Sequence, residues 1–357
     1  MSRQPVRSTA AAPRSVDVAR LAGVSQKTVS RVMNGEPYVS EDLRRRVLEA
    51  ADELGYRLNH AARALASGKT RAIGVVTLGT ALYGPASLLM GVERALRDTG
   101  YALRVVNTME GDTAGVAGAV GTLLDQGVDG IVISEPIEEE GDPELSPSVD
   151  VPVLVLGAPP SFAAPRVLTA GIVSDQLARA VTEHLLDLGH TTVHHLAGPL
   201  RWYAARDRLA GWRTTLAAHG RREPPVIAGD WSAASGYEAG RRLAADDSVT
   251  AVFAANDDMA IGLIRALLEA GRRVPEDISV VGLDDIPVAA YVSPPLTTVR
   301  QPFDATARDG LRSLVHAIEN PGAEQIPVDN PPIELVVRAS TAPPPPSPAP
   351  NHRRTPR

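Results

Sequence analysis

Gln26, Lys27, Ser30 and Arg31 fall at i, i+1, i+4 and i+5, a spacing that gathers all four side chains on one face of a short helix. A helix with that face exposed fits the major groove of B-DNA, where Gln pairs with adenine and Arg or Lys with guanine. The same pattern also describes a helical hairpin with a solvated polar face. Other chemistry-bearing residues lead less far. His194 and His195 are neighbours on a predicted strand, so they point to opposite faces and cannot ligate one ion together. Glu138–Glu140 sit in a Pro/Gly-rich loop and read as solvated carboxylates, and the adjacent Asp284 and Asp285 do not alone make a hydrolase. There is no phosphate-binding Walker loop and no serine elbow. The chain has 0 cysteines, which removes disulfides, thiolate nucleophiles and cysteine-ligated zinc or iron–sulfur centres. The expectation is a protein that is not an enzyme and uses neither a cofactor nor a metal.

The elements that would carry the polar face are legible around it. Ala19, Ala22, Val24, Val29 and Val32 are spaced for two short helices broken at Gly23, with Ser25 as N-cap of the second. Ser40 announces a third helix, the acidic pair Glu41 and Asp42 suits its positive end, and Gly55 closes it. Its apolar stripe is Leu43, Val47, Ala50, Ala51 and Leu54. Beyond Thr70 the period changes. Short β-branched runs alternate with helical stretches: IGVV (73–76), ALRVV (102–106), GIVI (130–133), PVLVL (152–156), VHHL (193–196), AVFA (251–254) and ISVVGL (278–283). That is the signature of parallel α/β sheets, and seven strands over this length predict two similar lobes facing a cleft. Ligands of such sheets lie beyond the carboxyl ends of the strands.

Charge and composition agree with a head and a body. The 357 residues exceed one ordinary domain. Residues 1–71 carry 13 Lys and Arg against 7 Asp and Glu, so the head is basic while the whole chain is at −6. A basic head suits a polyanion, although the imbalance also describes a solvated face. No run of eighteen apolar residues occurs and the first residues lack the apolar stretch of a signal peptide, so the expected compartment is the cytoplasm, without membrane contact. Residues 1–14 read as a disordered arm. Seven of residues 339–357 are proline, which predicts a tail outside the fold.

Eight motifs, in order, resemble the lactose-repressor (LacI/GalR) family of bacterial transcription regulators: DVARLAGVSQKTVSRVMN (17–34), ARALASG (62–68), LAGPL (196–200), ARDRLAGW (205–212), GDWSAASG (229–236), AANDDMAIG (254–262), ISVVGLDD (278–285) and PPLTTVRQPF (294–303). The resemblance implies a three-helix helix-turn-helix domain over 15–58, a hinge helix and linker over 59–70 and an effector-binding and dimerisation body over 71–341. That body resembles periplasmic binding proteins, with two parallel α/β sheets. Its N-lobe would take about 71–171 and 303–331, its C-lobe about 172–302 and 332–341, and 342–357 would be tail. It further implies a homodimer on a pseudo-palindromic double-stranded operator. DNA contacts would come from Ser25, Gln26, Lys27, Thr28, Ser30 and Arg31, from Asn34, Tyr38 and Tyr56, and from Asn59 and Leu65 in the hinge. The hinge would fold only on operator, with Leu65 wedged into the minor groove. An Ala/Leu-rich octamer is too short to be stably helical alone, and an apolar wedge can unstack a base step.

In the body, the resemblance implies a saccharide effector bound by Leu82, Pro85 and Leu88 on one side and by Arg208, Trp231, Asn256, Asp284, Gln301 and Phe303 on the other. Guanidinium, amide and carboxylate groups hold hydroxyl pairs, and an indole stacks on a pyranose face. Gly157 stands where the family's namesake has an acidic sugar ligand, Ser134 replaces an asparagine and Ala204 a serine, so the namesake's sugar preference does not carry over. Trp202 and Tyr203 add aromatic surface that could stack a further ring or merely pack. The implied function is repression of carbohydrate-utilisation genes, relieved by the saccharide. The alternatives are a co-repressor mode with a non-sugar ligand and a sugar-binding transport protein. With no leucine after Leu335, no coiled-coil seam follows the body, which predicts a dimer rather than a tetramer.

Overall fold

The computed structural model describes residues 13–33, 35–57, 68–97, 99–108, 115–134, 149–156, 164, 166–171, 174–328 and 332–346. The chain divides into two compact units, residues 1–70 and 71–357.

The head has three helices, α1 (Ser15–Ala22), α2 (Gln26–Met33) and α3 (Glu41–Leu54). Its core is Val18, Ala19, Ala22, Val29, Val32, Val47, Ala50 and Ala51, all buried, with Val24 and Leu54 packed half-buried around them. Gly23 (φ 66°) and Gly55 (φ 62°) end α1 and α3 in the left-handed conformation, where a side chain is disfavoured. The Ser25 hydroxyl accepts from the Thr28 amide at 3.1 Å and that of Ser40 from the Leu43 amide, so both expected caps form. Arg46 of α3 donates to the Ala22 carbonyl at 2.5 Å, tying the end of α1 to α3.

The body holds two all-parallel sheets. The first has the order β2–β1–β3–β4–β5, with β1 (Ala72–Leu78), β2 (Ala102–Thr108), β3 (Gly130–Ser134), β4 (Val153–Leu156) and β5 (Val167–Ala170). Helices α4 (Tyr83–Leu96) and α5 (Gly115–Asp125) connect its first strands. The second has the order β7–β6–β8–β9, with β6 (His194–Ala197), β7 (Ile227–Ala228), β8 (Ala251–Ala254) and β9 (Ser279–Val281). Its helices are α6 (Ser174–Asp187), α7 (Tyr203–Ala218), α8 (Ala233–Leu243) and α9 (Asp257–Glu269). β3, β4 and β8 are buried at every residue, as strands covered on both faces must be. After β10 (Thr298–Arg300) the chain returns to the first lobe as α10 (Phe303–Glu319), whose Ala307, Leu311 and Leu314 share a core with Ile73, Val75 and Leu154. It comes back as β11 (Glu334–Val336), antiparallel to β10.

All seven expected strands are present. Four more, β5, β7, β10 and β11, were not foreseen, because segments of two to four residues are too short to show a period. His195 is fully buried, its ring 4.6 Å from that of Phe253 and its Nδ1–H donating to the Phe253 carbonyl. Burial pushes its pKa down to about 3 and it stays neutral, while the half-buried His194 faces the other side.

The tail boundary requires a correction, because bonded structure runs past residue 341. The Val280 amide donates to the Ser340 carbonyl, the Ser340 hydroxyl donates to the Val280 carbonyl at 2.6 Å, and the Ser279 hydroxyl donates to Ala342. His190, itself buried, reaches the same Ala342 carbonyl at 3.0 Å. Residues 340–342 thus strap the edge strand β9 and satisfy backbone groups that would otherwise be orphaned.

Candidate functional site

In the head, Lys27, Ser30 and Arg31 lie on the exposed face of α2, opposite the buried Val29 and Val32. The Gln26 amide donates to the Ser15 hydroxyl at 2.7 Å, and Arg31 pairs with Glu36 at 3.4 Å, half-exposed. These contacts hold two long side chains along the helix face at little cost, since an exposed ion pair is readily exchanged. Ser25 and Thr28 bond to each other at 2.9 Å and cap α2, so their first role is to fix where the helix starts. Tyr38 is almost wholly exposed, whereas Tyr56 packs against the head core. Asn34, Asn59, Leu65 and Gly157 lie outside the described residues.

In the body, eleven residues line one cleft of about 360 Å³, its open mouth included: Leu82, Tyr83, Gly84 and Pro85 at the start of α4, Trp202, Ala204 and Arg208 at the start of α7, then Trp231, Asn256, Asp284 and Gln301. The second-lobe residues all sit beyond the carboxyl ends of their strands, where sheets of this kind bind ligands. Seven of the nine residues expected here are brought together. Leu88 and Phe303 are not: Leu88 is further along α4, turned into the first-lobe core, and Phe303 packs edge to face against Tyr83 at 5.9 Å. Tyr83 and Gly84 carried no assignment from sequence, although an aromatic residue between Leu82 and Pro85 was a signal.

Local structure explains each position. Asn256 is the N-cap of α9: its Oδ1 accepts from the Met259 amide at 3.0 Å and its Nδ2 donates to the Trp231 carbonyl at 3.0 Å. It therefore fixes the segment carrying Trp231 to the start of α9. The six-membered part of the Trp231 indole is seated on Gly198, where a Cβ would fall 2.3 Å from Cη2 and Cζ2. The glycine of LAGPL is thus the floor of the indole pocket. Three of the four non-glycine residues with positive φ among the described residues belong to this region: Trp231 (74°), Asp284 (126°) and Asp285 (55°). Such conformations cost about 1–3 kcal/mol each and persist where the surroundings enforce them.

The enforcing group is Asp257, fully buried below the cleft. Its carboxylate accepts from the Ile286 amide at 2.9 Å and the Thr298 hydroxyl at 2.6 Å, and its own amide donates to the Leu283 carbonyl. Asp257 therefore ties both sides of the Asp284 loop. Of the adjacent pair in GLDD, Asp285 is structural, accepting from Arg300 at 2.8 Å and Arg338 at 2.5 Å, whereas Asp284 lines the cleft and accepts from Gln301 at 2.6 Å.

Burial raises the Asp257 pKa from 3.8 to about 6, with Asp285 and Asp258 adding to the shift against the two hydrogen bonds. The folded protein therefore keeps a proton that the unfolded chain has released. Stability from this group is full below about pH 4 and falls as pH rises through about 6, by roughly 2–3 kcal/mol. Asp257→Asn is expected to flatten that fall in urea midpoints measured from pH 4 to pH 7. Parallel loss in both proteins would exclude Asp257 as its source.

Arg208 is buried at 5% exposure and has no carboxylate partner among the described residues. Its Nη1 donates to the Ala255 carbonyl at 2.6 Å and its guanidinium lies 5.4 Å from the Trp231 ring centre. Arg208 Nε and Trp231 Nε1 are buried donors with no acceptor among the described residues. Orphaned donors of this kind are costly, and the two residues that carry them line the cleft together with a carboxylate and an amide. Such a set of groups has the chemistry to satisfy a small polyhydroxylated or similarly polar molecule.

A head with a helix-turn-helix face on a two-lobed body with an inter-lobe cleft defines a ligand-responsive, DNA-binding regulator. Residues 16–59 match the family described as bacterial regulatory proteins, lacI family, and residues 182–341 the periplasmic binding protein-like domain. The chain is 35% identical to the ribose operon repressor of Escherichia coli K12 over 315 residues, 87% of this chain and 94% of that protein. It belongs to the LacI family of transcriptional regulators. Two solved structures are similar at 33% identity. The lac repressor dimer bound to operator and the anti-inducer ONPF has a TM-score of 0.78, covering 91% of this chain and 98% of that one. The transcriptional regulator CelR–cellobiose complex has a TM-score of 0.66, covering 92% and 99%. No helix among the described residues is long and apolar enough to cross a membrane.

Proposed function

We propose that this protein represses carbohydrate-utilisation genes as a cytoplasmic homodimer on a pseudo-palindromic operator, and leaves the DNA when a saccharide enters the cleft. The observation that carries the reading is the cleft lining, which sets Arg208 and Trp231, each with a buried donor lacking an acceptor among the described residues, together with the Asp284–Gln301 pair. A hydroxyl both accepts and donates, so vicinal hydroxyls satisfy such a corner without leaving a charge unpaired. The similar proteins support it, since their names give ribose, lac and cellobiose, and the lac repressor is a dimer on operator.

The DNA half is tested by selection from random duplexes, which is expected to enrich a pseudo-palindrome read by Gln26, Lys27 and Arg31. Arg31→Ala is expected to cost about 1–3 kcal/mol and to relax preference at one base pair of each half-site. Unchanged affinity and preference in a mobility-shift series would remove Arg31 from the readers. The effector half is tested by thermal shift with mono- and disaccharides and purine bases. Stabilisation by a purine alone would replace the sugar reading with the co-repressor one.

A further inference from the structure

We infer that Arg71 is a positioning residue for operator binding: clamped by Asp129, it sets the direction in which the chain leaves the body toward the DNA-reading head. The inference rests on the operator-binding reading and adds how the body constrains the two heads of a dimer.

Arg71 is the first residue of the second compact unit, and after Trp231, Asp284 and Asp285 it is the fourth positive-φ non-glycine residue among the described residues. Its φ is 52°, a conformation an arginine holds only where its surroundings enforce it. The enforcing bonds act on both sides of its Cα. The Arg71 amide donates to the Asp129 carboxylate at 2.8 Å, and the Arg71 carbonyl accepts from the Ala102 amide at 2.8 Å. The Asp129 amide in turn donates to the Ala72 carbonyl at 2.8 Å, so Asp129 grips two successive residues. The two carbonyl bonds extend the ladders of β1 with β2 and β3, whereas the bond to the carboxylate is no part of a sheet. The Arg71 guanidinium lies 5.8 Å from the ring centre of Tyr101, the residue before β2. An extended residue here would carry the chain on along the line of β1, and the left-handed one turns it aside. β1 is buried over its first six residues and paired on both sides, and its other end leads to Leu82–Pro85 of the cleft. The clamp thus holds one end of the strand whose other end enters the ligand site. Two heads reach two half-sites only at a set separation, so the exit direction bears on specific binding, while backbone contacts to arbitrary DNA do not depend on it.

The test measures the full-length protein by fluorescence anisotropy on the duplex enriched by selection and on a scrambled duplex of equal length. Arg71→Pro locks φ at about −65° and removes the amide proton. It is expected to weaken binding to the selected duplex about tenfold while the scrambled duplex stays within about twofold. Asp129→Ala removes the acceptor without altering residue 71, and is expected to cost about fivefold on the selected duplex alone. Arg71→Gly, at ease with positive φ, and Asp129→Asn, which keeps an acceptor oxygen, are expected to stay within about twofold of wild type on both. Should Arg71→Pro fail to fold, Asp129→Ala decides. Wild-type affinity in Asp129→Ala would overturn the inference, as would equal loss on both duplexes, the mark of a damaged fold. A loss in Arg71→Gly as deep as in Arg71→Pro would assign the effect to the guanidinium and overturn it too. Selection that enriches no duplex for the wild type would instead overturn the operator-binding reading itself, and this inference with it.

Discussion

Gly262→Ala is expected to lower stability by about 3 kcal/mol, against the usual gain from replacing a helical glycine. Helices α8 and α9 cross at three glycines, Gly236 and Gly240 on one and Gly262 on the other. A Cβ on Gly262 would fall 1.8 Å from the Ala233 carbonyl oxygen and 2.9 Å from the Tyr237 amide nitrogen. Both atoms are backbone, so no rotamer change relieves the overlap and the helices must part. Parting them has a second effect, because Trp231 precedes α8, Asn256 caps α9, and a 3.0 Å hydrogen bond joins the two. Effector binding should therefore fall together with stability. Gly121→Ala in α5, where nothing lies within 4 Å, is the control and should be neutral or stabilising by about 0.5–1 kcal/mol. Urea denaturation of both variants decides it, and similar midpoints would show that the crossing tolerates a methyl group.

Arg208→Ala is expected to weaken the effector response about a hundredfold while operator affinity stays within about twofold of wild type. The guanidinium has no carboxylate partner among the described residues, so its removal breaks no buried ion pair. It leaves the Ala255 carbonyl short of one donor, a cost of about 1–3 kcal/mol. Each charge-assisted hydrogen bond lost to the ligand is worth about 1.5–3 kcal/mol, so the effector concentration for half-release should rise about a hundredfold. Release at the wild-type concentration in a mobility-shift titration would place the ligand elsewhere.

What sequence reveals about this protein depends on the range of the interaction. The head was legible because Val29, Val32, Val47 and Ala50 are local periodic signals, and Ser25 and Gly23 are local punctuation. Most of the cleft lining was reachable through motif resemblance, yet the roles within it were not. Sequence offers Trp231 as a plane for a sugar, whereas its edge is seated on Gly198 and its N–H is a free donor. It offers Asn256 as a ligand, whereas the amide already bridges α9 to Trp231. Asp257 looked like a neighbour of Asn256 and is the tie that holds the Asp284 loop. Residue type can be read from one position, but side-chain direction depends on partners dozens of residues away.

The late return of the chain to both lobes sets an order for events on the ribosome. The head completes its core within residues 1–70 and can fold as soon as they emerge. The first sheet waits for α10 to supply Leu311 and Leu314, and the second for Ser340–Ala342 to close its edge. Nearly the whole polypeptide must be made before either lobe is finished. A chain stopped by a nonsense codon or by proteolysis anywhere in the last third would keep a folded DNA-reading head attached to a sensor that cannot close. Such a fragment is expected to lose the effector cleft before it loses the fold of its head.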